Sequence, residues 1–356
     1  MKIMKKIKQL ILISFTVFLV SGFTTVNAQS ETDTQPTHKL SGLVYSDYFF
    51  VINNHNENLE GENGFWVRRI YFTDNIKLSE NFSGRLRLEM NSPGDFSTNT
   101  KMEPVVKDIY LNWAIKENHS LIGGISSTPT WGLIEDIWGY RSLEKSPLDL
   151  QKFGSSREFG LAVKGKIGDS GFGYHAMLGN GSSNGAETNE FKKYMLSVSW
   201  WLTDNFVVQG YGDYERRSET NTRNTFQALL GYMSDNINIG AMYAAQNRTE
   251  EISGADDDEL DLNIASVFTN IKIVDKWTAI LRADRMFDPN PQGPDISYIP
   301  FSDQAESTFL LFGIDFQPIP KVHVIPNIES VFYDDAIDGT SPDSDAIFRT
   351  TLYYTF

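Results

Sequence analysis

The chain has 356 residues, no cysteine, and a formal charge of −15 from 31 basic and 46 acidic residues. The lack of cysteine excludes disulfides and thiolate sites, and the acidic balance argues against nucleic acid as a partner. Mean hydropathy is −0.31, which is typical of water-soluble proteins. A barrel that faces lipid with only alternate residues has a similarly polar average, so hydropathy alone does not decide the class.

The N-terminal segment has the three parts of a secretory signal peptide. Four lysines precede an uncharged apolar run, Leu10–Val20, and a small-residue cleavage site ends at Ala28. We therefore predict a cleaved signal peptide over 1–28, a periplasmic tail over 29–37, and one membrane domain over 38–356. The mature part contains no apolar run of membrane-helix length, so a membrane-embedded chain would have to be a β-barrel.

The clearest strand pattern begins at Phe82. One face of this segment is apolar, whereas the other carries Arg85, Arg87 and Glu89. Because alternate side chains of a strand point to opposite faces, these charges need water or partners on their own side. A soluble sheet would turn the apolar face toward its core. A membrane barrel would turn it toward lipid and leave the charges in a wet lumen.

The same alternation repeats along the chain, and we predict sixteen strands. They lie at about 40–51, 65–78, 82–91, 105–115, 120–127, 159–167, 172–178, 194–202, 206–215, 225–233, 237–246, 260–273, 277–286, 308–317, 322–333 and 346–356. The register of the first strand stays open, because both of its faces are partly apolar. Tight turns alternate with longer polar loops, a pattern typical of a sixteen-stranded antiparallel transmembrane barrel with periplasmic termini.

The last predicted strand has an apolar, aromatic face and a mostly polar face that includes Arg349. It stops on Phe356 without a polar tail. A barrel needs a lipid-facing last strand that pairs with the first strand. The ending also resembles the C-terminal assembly signal of bacterial outer-membrane proteins. For this segment alone, an edge strand of a β-sandwich is the alternative.

Five short motifs occur in order in the first half of the mature chain. They are Phe65-Trp66-Val67-Arg68-Arg69-Ile70-Tyr71-Phe72, Arg85-Leu86-Arg87-Leu88-Glu89, Asp108-Ile109-Tyr110-Leu111-Asn112-Trp113, Ile122-Gly123-Gly124-Ile125-Ser126-Ser127-Thr128-Pro129 and Arg157-Glu158-Phe159-Gly160-Leu161. In this order and spacing they resemble the phosphate-selective porin O/P family of Gram-negative outer-membrane porins. The resemblance implies a sixteen-stranded trimer whose third loop folds into the lumen. It also implies an arginine ladder along the lumen and lysines at the constriction.

The longest predicted connection, 128–156, is unusually apolar for a loop. It contains Trp131, Ile134, Ile137, Trp138, Tyr140, Leu143, Leu148, Leu150 and Phe153. We predict that it packs against the inner wall and narrows the channel; a loop at a subunit contact is the alternative. The candidate constriction residues are Arg141, Lys145, Lys152 and Arg157.

Strand parity predicts which charges face the lumen. The pore-lining candidates are Arg85, Arg87, Glu89, Asp108, Lys164, Lys166, Arg282, Asp284 and Arg349, with Arg68 or Arg69 according to register. Basic rings favour anions and acidic rings favour cations. The sequence contains no unbroken basic ladder, so two interpretations stay open. The charges balance one another around a water-filled pore, or Arg85, Arg87, Lys164 and Lys166 form, together with Arg141 of the third loop, a filter that prefers anions.

Other function classes find less support. His175 and His323 lie in predicted strands, but no nucleophile can be placed beside them, so no enzyme is predicted. The acid-rich segment Asp256–Glu259 lacks the spacing of a calcium loop, so no metal or cofactor is predicted. We predict an outer-membrane porin for small hydrophilic solutes or inorganic anions, in contact with lipid and lipopolysaccharide. The alternative is a structural or adhesive barrel plugged by its long loops, of which only 128–156 looks apolar enough.

Overall fold

A computed structural model describes residues 35–91, 101–249, 259–336 and 339–356. They form the predicted closed barrel of sixteen antiparallel strands, each paired with its neighbours in sequence. The strands are β1 Thr37–Asn53, β2 Asn63–Lys77, β3 Phe82–Asn91, β4 Glu103–Lys116, β5 His119–Ser127, β6 Arg157–Lys166, β7 Phe172–Gly179, β8 Lys193–Trp201, β9 Phe206–Arg216, β10 Thr222–Met233, β11 Ile237–Thr249, β12 Glu259–Val274, β13 Trp277–Met286, β14 Ser307–Ile319, β15 Val322–Tyr333 and β16 Asp345–Thr355. The predicted signal peptide lies outside the described residues. No described helix has the length and apolar character needed to cross a bilayer.

The barrel is closed by β16 against β1. Val44 lies opposite Tyr354 and Phe50 lies opposite Phe348, so these four side chains share the outer face. This pairing settles the register of β1 that the sequence leaves open, since Asp47 points inward and is buried. Closure satisfies the backbone groups that an open edge would expose to lipid.

The outer face of the barrel is apolar, as the strand alternation predicts, and many of its large side chains are exposed. At the end that carries the short turns, aromatic side chains stack in pairs across neighbouring strands. The pairs are Phe82–Trp113 at 5.8 Å, Phe172–Trp200 at 5.0 Å and Trp277–Phe316 at 4.6 Å between ring centroids. Such rings are typical of the aromatic girdle at a membrane interface, so these pairs mark one border of the lipid-facing band.

Residues 128–156, here called loop 3, lie inside the barrel. They form two short helices, α1 (Trp131–Trp138) and α2 (Pro147–Leu150). The apolar face of α1 packs on the inner wall at β10, β11 and β12. Gly231 allows this approach, because a Cβ there would lie 2.4 Å from Ile137 Cδ1. Loop 3 therefore fills one side of the lumen with a hydrophobic core.

A second loop also folds inward, contrary to the expectation that only loop 3 is apolar enough. Residues 287–306, here called the mouth loop, connect β13 to β14 and include the buried side chains Ile296, Tyr298, Ile299 and Phe301. The Tyr298 ring lies 4.7 Å from the guanidinium carbon of Arg68 and 5.1 Å from Lys145 Nζ in loop 3. The two loops thus form one packed body within the barrel.

Candidate pore and constriction site

A β-bulge in β2 turns two consecutive arginines into the barrel. Arg69 lies opposite Tyr45 and Val67 lies opposite Ser46, so Arg68 is the extra residue. Both arginine side chains are buried. Strand parity allowed only one of them to face inward, and the bulge removes that restriction.

A second bulge does the same in β4. Arg87 lies opposite Asp108 and Leu88 lies opposite Val106, which makes Lys107 the extra residue. Lys107 Nζ lies 3.0 Å from Glu89 Oε2 on the inner face of β3. Parity had excluded Lys107 from the lumen. Two adjacent charged residues, Lys107 and Asp108, within one membrane-spanning strand are the sequence feature that could have indicated this bulge.

On the wall formed by β3, β4 and β6, basic groups are exposed to the lumen and acids are not. The side chains of Arg85 and Arg87 are 31% and 20% exposed, whereas those of Glu89 and Asp108 are 3% and 2% exposed. Asp108 accepts a hydrogen bond from Arg157 and lies 3.6 Å from Arg87 Nε. The structure therefore brings these five predicted residues together, with the arginines in front of the carboxylates.

Tyrosines separate the arginines on this wall. Tyr71 has Arg87 at 5.0 Å and Arg69 at 5.7 Å from its ring, and its hydroxyl accepts from Arg69 Nη1 at 3.1 Å. Tyr110 lies 5.9 Å from the guanidinium of Arg85. These cation–π contacts hold the guanidinium groups extended along the wall.

Loop 3 presents mixed charges to the same space. Arg141 lies 3.8 Å from Glu135 and 3.5 Å from Asp149. Burial raises the pKa of Glu135 above its usual range; Arg141 opposes that shift and Asp149 adds to it. Burial would also raise the pKa of Asp149, but Arg141 and Lys145 hold it below its usual range. Arg157 and Lys107 also act on Glu135 electrostatically, so loop 3 and the basic wall border one space.

The predicted lysines occupy three different places. Lys164 and Arg85 line a cavity of ≈ 610 Å³ that also touches the short turn at Ser79–Asn81. Lys166 is exposed at the same end of β6. Lys152 lies 3.8 Å from Asp295 of the mouth loop, on the side of the barrel that carries the long loops.

Lys145 does not lie free in the lumen, because its ammonium group lies over the ring of Tyr298. Its backbone carbonyl accepts a hydrogen bond from Arg282. Lys145 therefore belongs to the contact between loop 3, the mouth loop and the wall.

The structure corrects the expectation for Arg282, Asp284 and Arg349. They point into the barrel, but their side chains are at most 1% exposed, because loop 3 and the mouth loop cover them. Arg282 binds Asp284 and lies 5.2 Å from the ring of Trp138. Arg349 donates to the carbonyl of Tyr298. These residues anchor the loops and do not line the remaining space.

Two further predictions concern residues outside this wall. His323 Nδ1 lies 2.8 Å from Asp315 Oδ2, and Tyr140 of loop 3 donates to the same carboxylate at 3.0 Å. Within the described ranges, no group of three or more histidines and acids is placed to hold a metal ion. Most of the acid-rich segment Asp256–Glu259 lies outside those ranges.

Comparisons with known proteins place the fold among outer-membrane barrels. No family model and no curated protein matches the sequence. The structure is similar to an anion-selective porin from Comamonas acidovorans (TM-score 0.66, 9% identity, 90% of this chain and 100% of that chain). It is also similar to the outer membrane channel DcaP of Acinetobacter baumannii (0.65, 12%, 90% and 97%). A third match is the trimer form of OmpT, an outer membrane protein of Vibrio cholerae (0.60, 13%, 91% and 100%). At these identities the likeness establishes the fold, and it does not establish the phosphate-selective family that the motifs resemble.

Proposed function

We propose that the protein is an outer-membrane porin, a water-filled channel through which small hydrophilic solutes diffuse with a preference for anions. The apolar outer band and the aromatic girdle support insertion in a bilayer. The polar space between loop 3 and the basic wall supports passage of solutes that stay hydrated.

One observation carries the anion preference. Along this space Arg85 and Arg87 are exposed, while their acidic neighbours Glu89 and Asp108 are withdrawn behind them. An ion that approaches this wall therefore meets guanidinium groups before it meets carboxylates, while Glu135 of loop 3, whose side chain is 29% exposed, borders the same space. Exposed basic groups at a narrow point stabilise anions and repel cations. Inorganic anions, including phosphate, are the solutes that this surface favours.

The proposed setting is the bacterial outer membrane, with lipid and lipopolysaccharide as neighbours. The predicted signal peptide over 1–28 would direct export, and the mature barrel would begin near Thr37, where β1 begins. We further propose a homotrimer. The trimer form of OmpT, which shares this fold, supports that assembly.

A second candidate function has its own support. Both loop 3 and the mouth loop are buried inside the barrel, so more of the lumen is occupied by protein than the sequence predicts. A barrel of sixteen strands has a wide lumen that side chains alone do not fill, so inward loops decide whether it conducts. A barrel closed by these two loops would serve a structural or adhesive role.

Single-channel recording separates the two candidates. Purified protein inserted in a planar bilayer should give stepwise increases in conductance, and liposomes that contain it should swell in small sugars and not in large ones. A protein that inserts, as shown by protease protection, but gives neither conductance steps nor swelling would contradict the porin and support the plugged barrel.

A further inference from the structure

Residues 180–185, here called the bridging segment, follow β7 and reach across the wall to the bulge in β4. The segment first continues the pairing with β6, through two backbone hydrogen bonds to Phe159 of 3.1 and 2.9 Å. Asn184 Nδ2 then donates to Val106 O at 2.7 Å and to Lys107 O at 3.2 Å. A side-chain amide from one loop therefore binds the backbone of a strand three positions away in the barrel.

The bridging segment serves a stretch of β4 that has no partner in β5. The pairing of β4 with β5 begins only at Ile109, because the chain leaves β5 at Ser127 to form loop 3 inside the barrel. The part of β4 that precedes Ile109 thus lacks a strand on its β5 side. Asn184 supplies a hydrogen-bond donor to this stretch, and no other side chain among the described residues donates to the same two carbonyl groups.

The two acceptors show that Asn184 recognises the bulged conformation of β4. Successive carbonyl groups of a regular strand point to opposite edges, so one nitrogen does not bind two of them in a row. The bulge interrupts this alternation and brings the carbonyls of Val106 and Lys107 toward one donor. A regular β4 would offer the amide one acceptor fewer. Because an ordinary hydrogen bond shifts an equilibrium about fivefold, Asn184 favours the bulge over the regular strand.

The amide of Asn184 is held in place by its own segment and by the end of loop 3. Its Oδ1 accepts from Ser183 Oγ at 3.2 Å, and Ser183 Oγ lies 2.5 Å from Ser155 Oγ. Glu158, at the start of β6, accepts from the backbone of Gly181 at 3.0 Å. Ser183 has a left-handed backbone with φ of 59°, which in a residue other than glycine has to be held by surrounding contacts. The donor therefore has a fixed place relative to β4.

The bulge decides on which face of β4 the charge of Lys107 lies. With the bulge, Lys107 Nζ lies 3.0 Å from Glu89 Oε2 on the inner face. In a regular strand, alternation from the lipid-facing Ile109 would turn residue 107 outward. Lys107 also acts electrostatically on Glu135 and Asp149 of loop 3. Its charge therefore reaches the space between the basic wall and loop 3.

We propose that Asn184 is a positioning residue for the ion selectivity of the channel. By binding the bulge, it keeps the ammonium group of Lys107 in the lumen beside the carboxylate of Glu89. An anion on the basic wall thus meets one more cation and a neutralised acid. The inference rests on the proposed anion-preferring channel, and it adds to that channel a residue that carries no charge itself.

Reversal potentials in a planar bilayer test this role. Lys107→Gln removes one charge, which at about 8 Å should lower the chloride-to-potassium permeability ratio by about fourfold. Asn184→Leu should lower the ratio by about twofold, because the charge stays in the chain but loses its fixed place. In the double variant the ratio should equal that of Lys107→Gln alone. A wild-type ratio in Asn184→Leu, or a further decrease in the double variant, would overturn the inference.

Two further variants guard against a general effect on the loop or on folding. Asn189→Leu is the matched control, because the Asn189 side chain bonds only to the backbone of Phe191 in its own loop. It should keep the wild-type ratio. Asn184→Ser also removes the amide nitrogen and changes the volume less, so it takes the place of Asn184→Leu if that variant loses the heat-dependent gel migration of a folded barrel.

The place of residue 107 can be measured without conductance, because the chain has no cysteine and an introduced thiol is unique. In Lys107→Cys, the thiol should react with a charged methanethiosulfonate reagent that enters the lumen from water. In Lys107→Cys/Asn184→Leu, part of the population should turn the thiol toward lipid, and the rate should fall by up to about fivefold. Equal rates would show that Asn184 does not hold the bulge and would overturn the inference.

The failure of this inference differs from the failure of the proposed function. A wild-type protein that gives no current, or that prefers cations, would contradict the proposed channel and with it the role of Asn184 in selectivity. The thiol reaction would still report whether Asn184 sets the face on which residue 107 lies. An anion-preferring wild-type protein whose ratio does not change in Asn184→Leu would overturn the role of Asn184 alone.

Discussion

Arg68 and Asp47 form an ion pair inside the barrel, and their side chains are 1% and 0% exposed. From this position Arg68 donates to the carbonyl oxygen of Leu143 at 2.6 Å and to that of Ser142. The bulge that turns Arg68 inward thus links β1, β2 and loop 3 through one guanidinium group. This contact fixes the loop at a defined place in the lumen.

Removing Arg68 should loosen loop 3 and destabilise the barrel. Arg68→Met keeps much of the side-chain volume but leaves Asp47 with only the more distant Arg349, at 4.0 Å. A buried carboxylate that loses its partner costs about 3–5 kcal/mol. We expect a lower urea midpoint in tryptophan fluorescence and noisier single-channel current. The double variant Arg68→Met/Asp47→Asn should recover part of the loss, and a wild-type midpoint in the single variant would contradict the account.

The basic wall should set ion selectivity. At about 8 Å in water, one charge changes an ion's energy by ~0.5 kcal/mol, which is about twofold in permeability. This effect has opposite sign for chloride and potassium, so one charge changes the ratio of their permeabilities by about fourfold, and Arg85→Ala/Arg87→Ala should lower the chloride-to-potassium ratio by about sixteenfold. Lys166→Ala, at the exposed end of β6, is the control and should change the ratio little, because water screens that charge. Equal effects of the two changes would argue against a localised filter.

The selectivity should depend on pH through Glu135. Because its pKa is raised, Glu135 takes up a proton at a higher pH than an ordinary glutamate, while Asp149, whose pKa is lowered, stays ionised. As the pH falls from neutral toward the ordinary glutamate range, the lumen should lose the negative charge of Glu135 before an ordinary glutamate would be protonated, and anion preference should rise. Reversal potentials recorded across this range measure the change. In Glu135→Gln the preference should already be high and should vary less with pH; an unaltered pH dependence would exclude Glu135 as its source.

Shortening the mouth loop should widen the channel. Replacing residues 290–304 by a short Gly-Ser linker removes the side chains that pack on loop 3, so single-channel conductance should increase. A similar replacement of the exposed residues 186–190, between β7 and β8, is the control and should leave conductance unchanged. If the wild-type protein gives no conductance and the variant with the shortened mouth loop does, the protein is a plugged barrel.

Most of the barrel follows from the period of two in the sequence. Lipid and lumen impose opposite polarity on the two faces of each strand. The polarity of neighbouring residues therefore predicts that Arg85 faces the lumen and that Leu86 faces the lipid. The length and apolar content of 128–156 likewise indicate a loop that needs a surface to pack on. The contacts of α1 with β10, β11 and β12 supply that surface.

Parts of the candidate site do not follow from strand parity. A bulge shifts the parity by one residue, and its only sequence sign is a pair of adjacent charges, as at Arg68-Arg69. Parity also cannot tell which inward residues a loop will cover, so Arg282 and Arg349 look identical in sequence to lumen residues. The inward packing of the mouth loop has a sign in its apolar segment, which runs from Ile296 to Phe301.

The most direct test of the central claim is the reversal potential of the purified wild-type protein in a planar bilayer between unequal KCl solutions. The exposed guanidinium groups of Arg85 and Arg87 predict a potential whose sign reports chloride passing more readily than potassium. Added phosphate should lower the chloride current by competing for the same groups. A potential of the opposite sign, or one of zero that phosphate does not alter, would contradict an anion-preferring channel in this barrel.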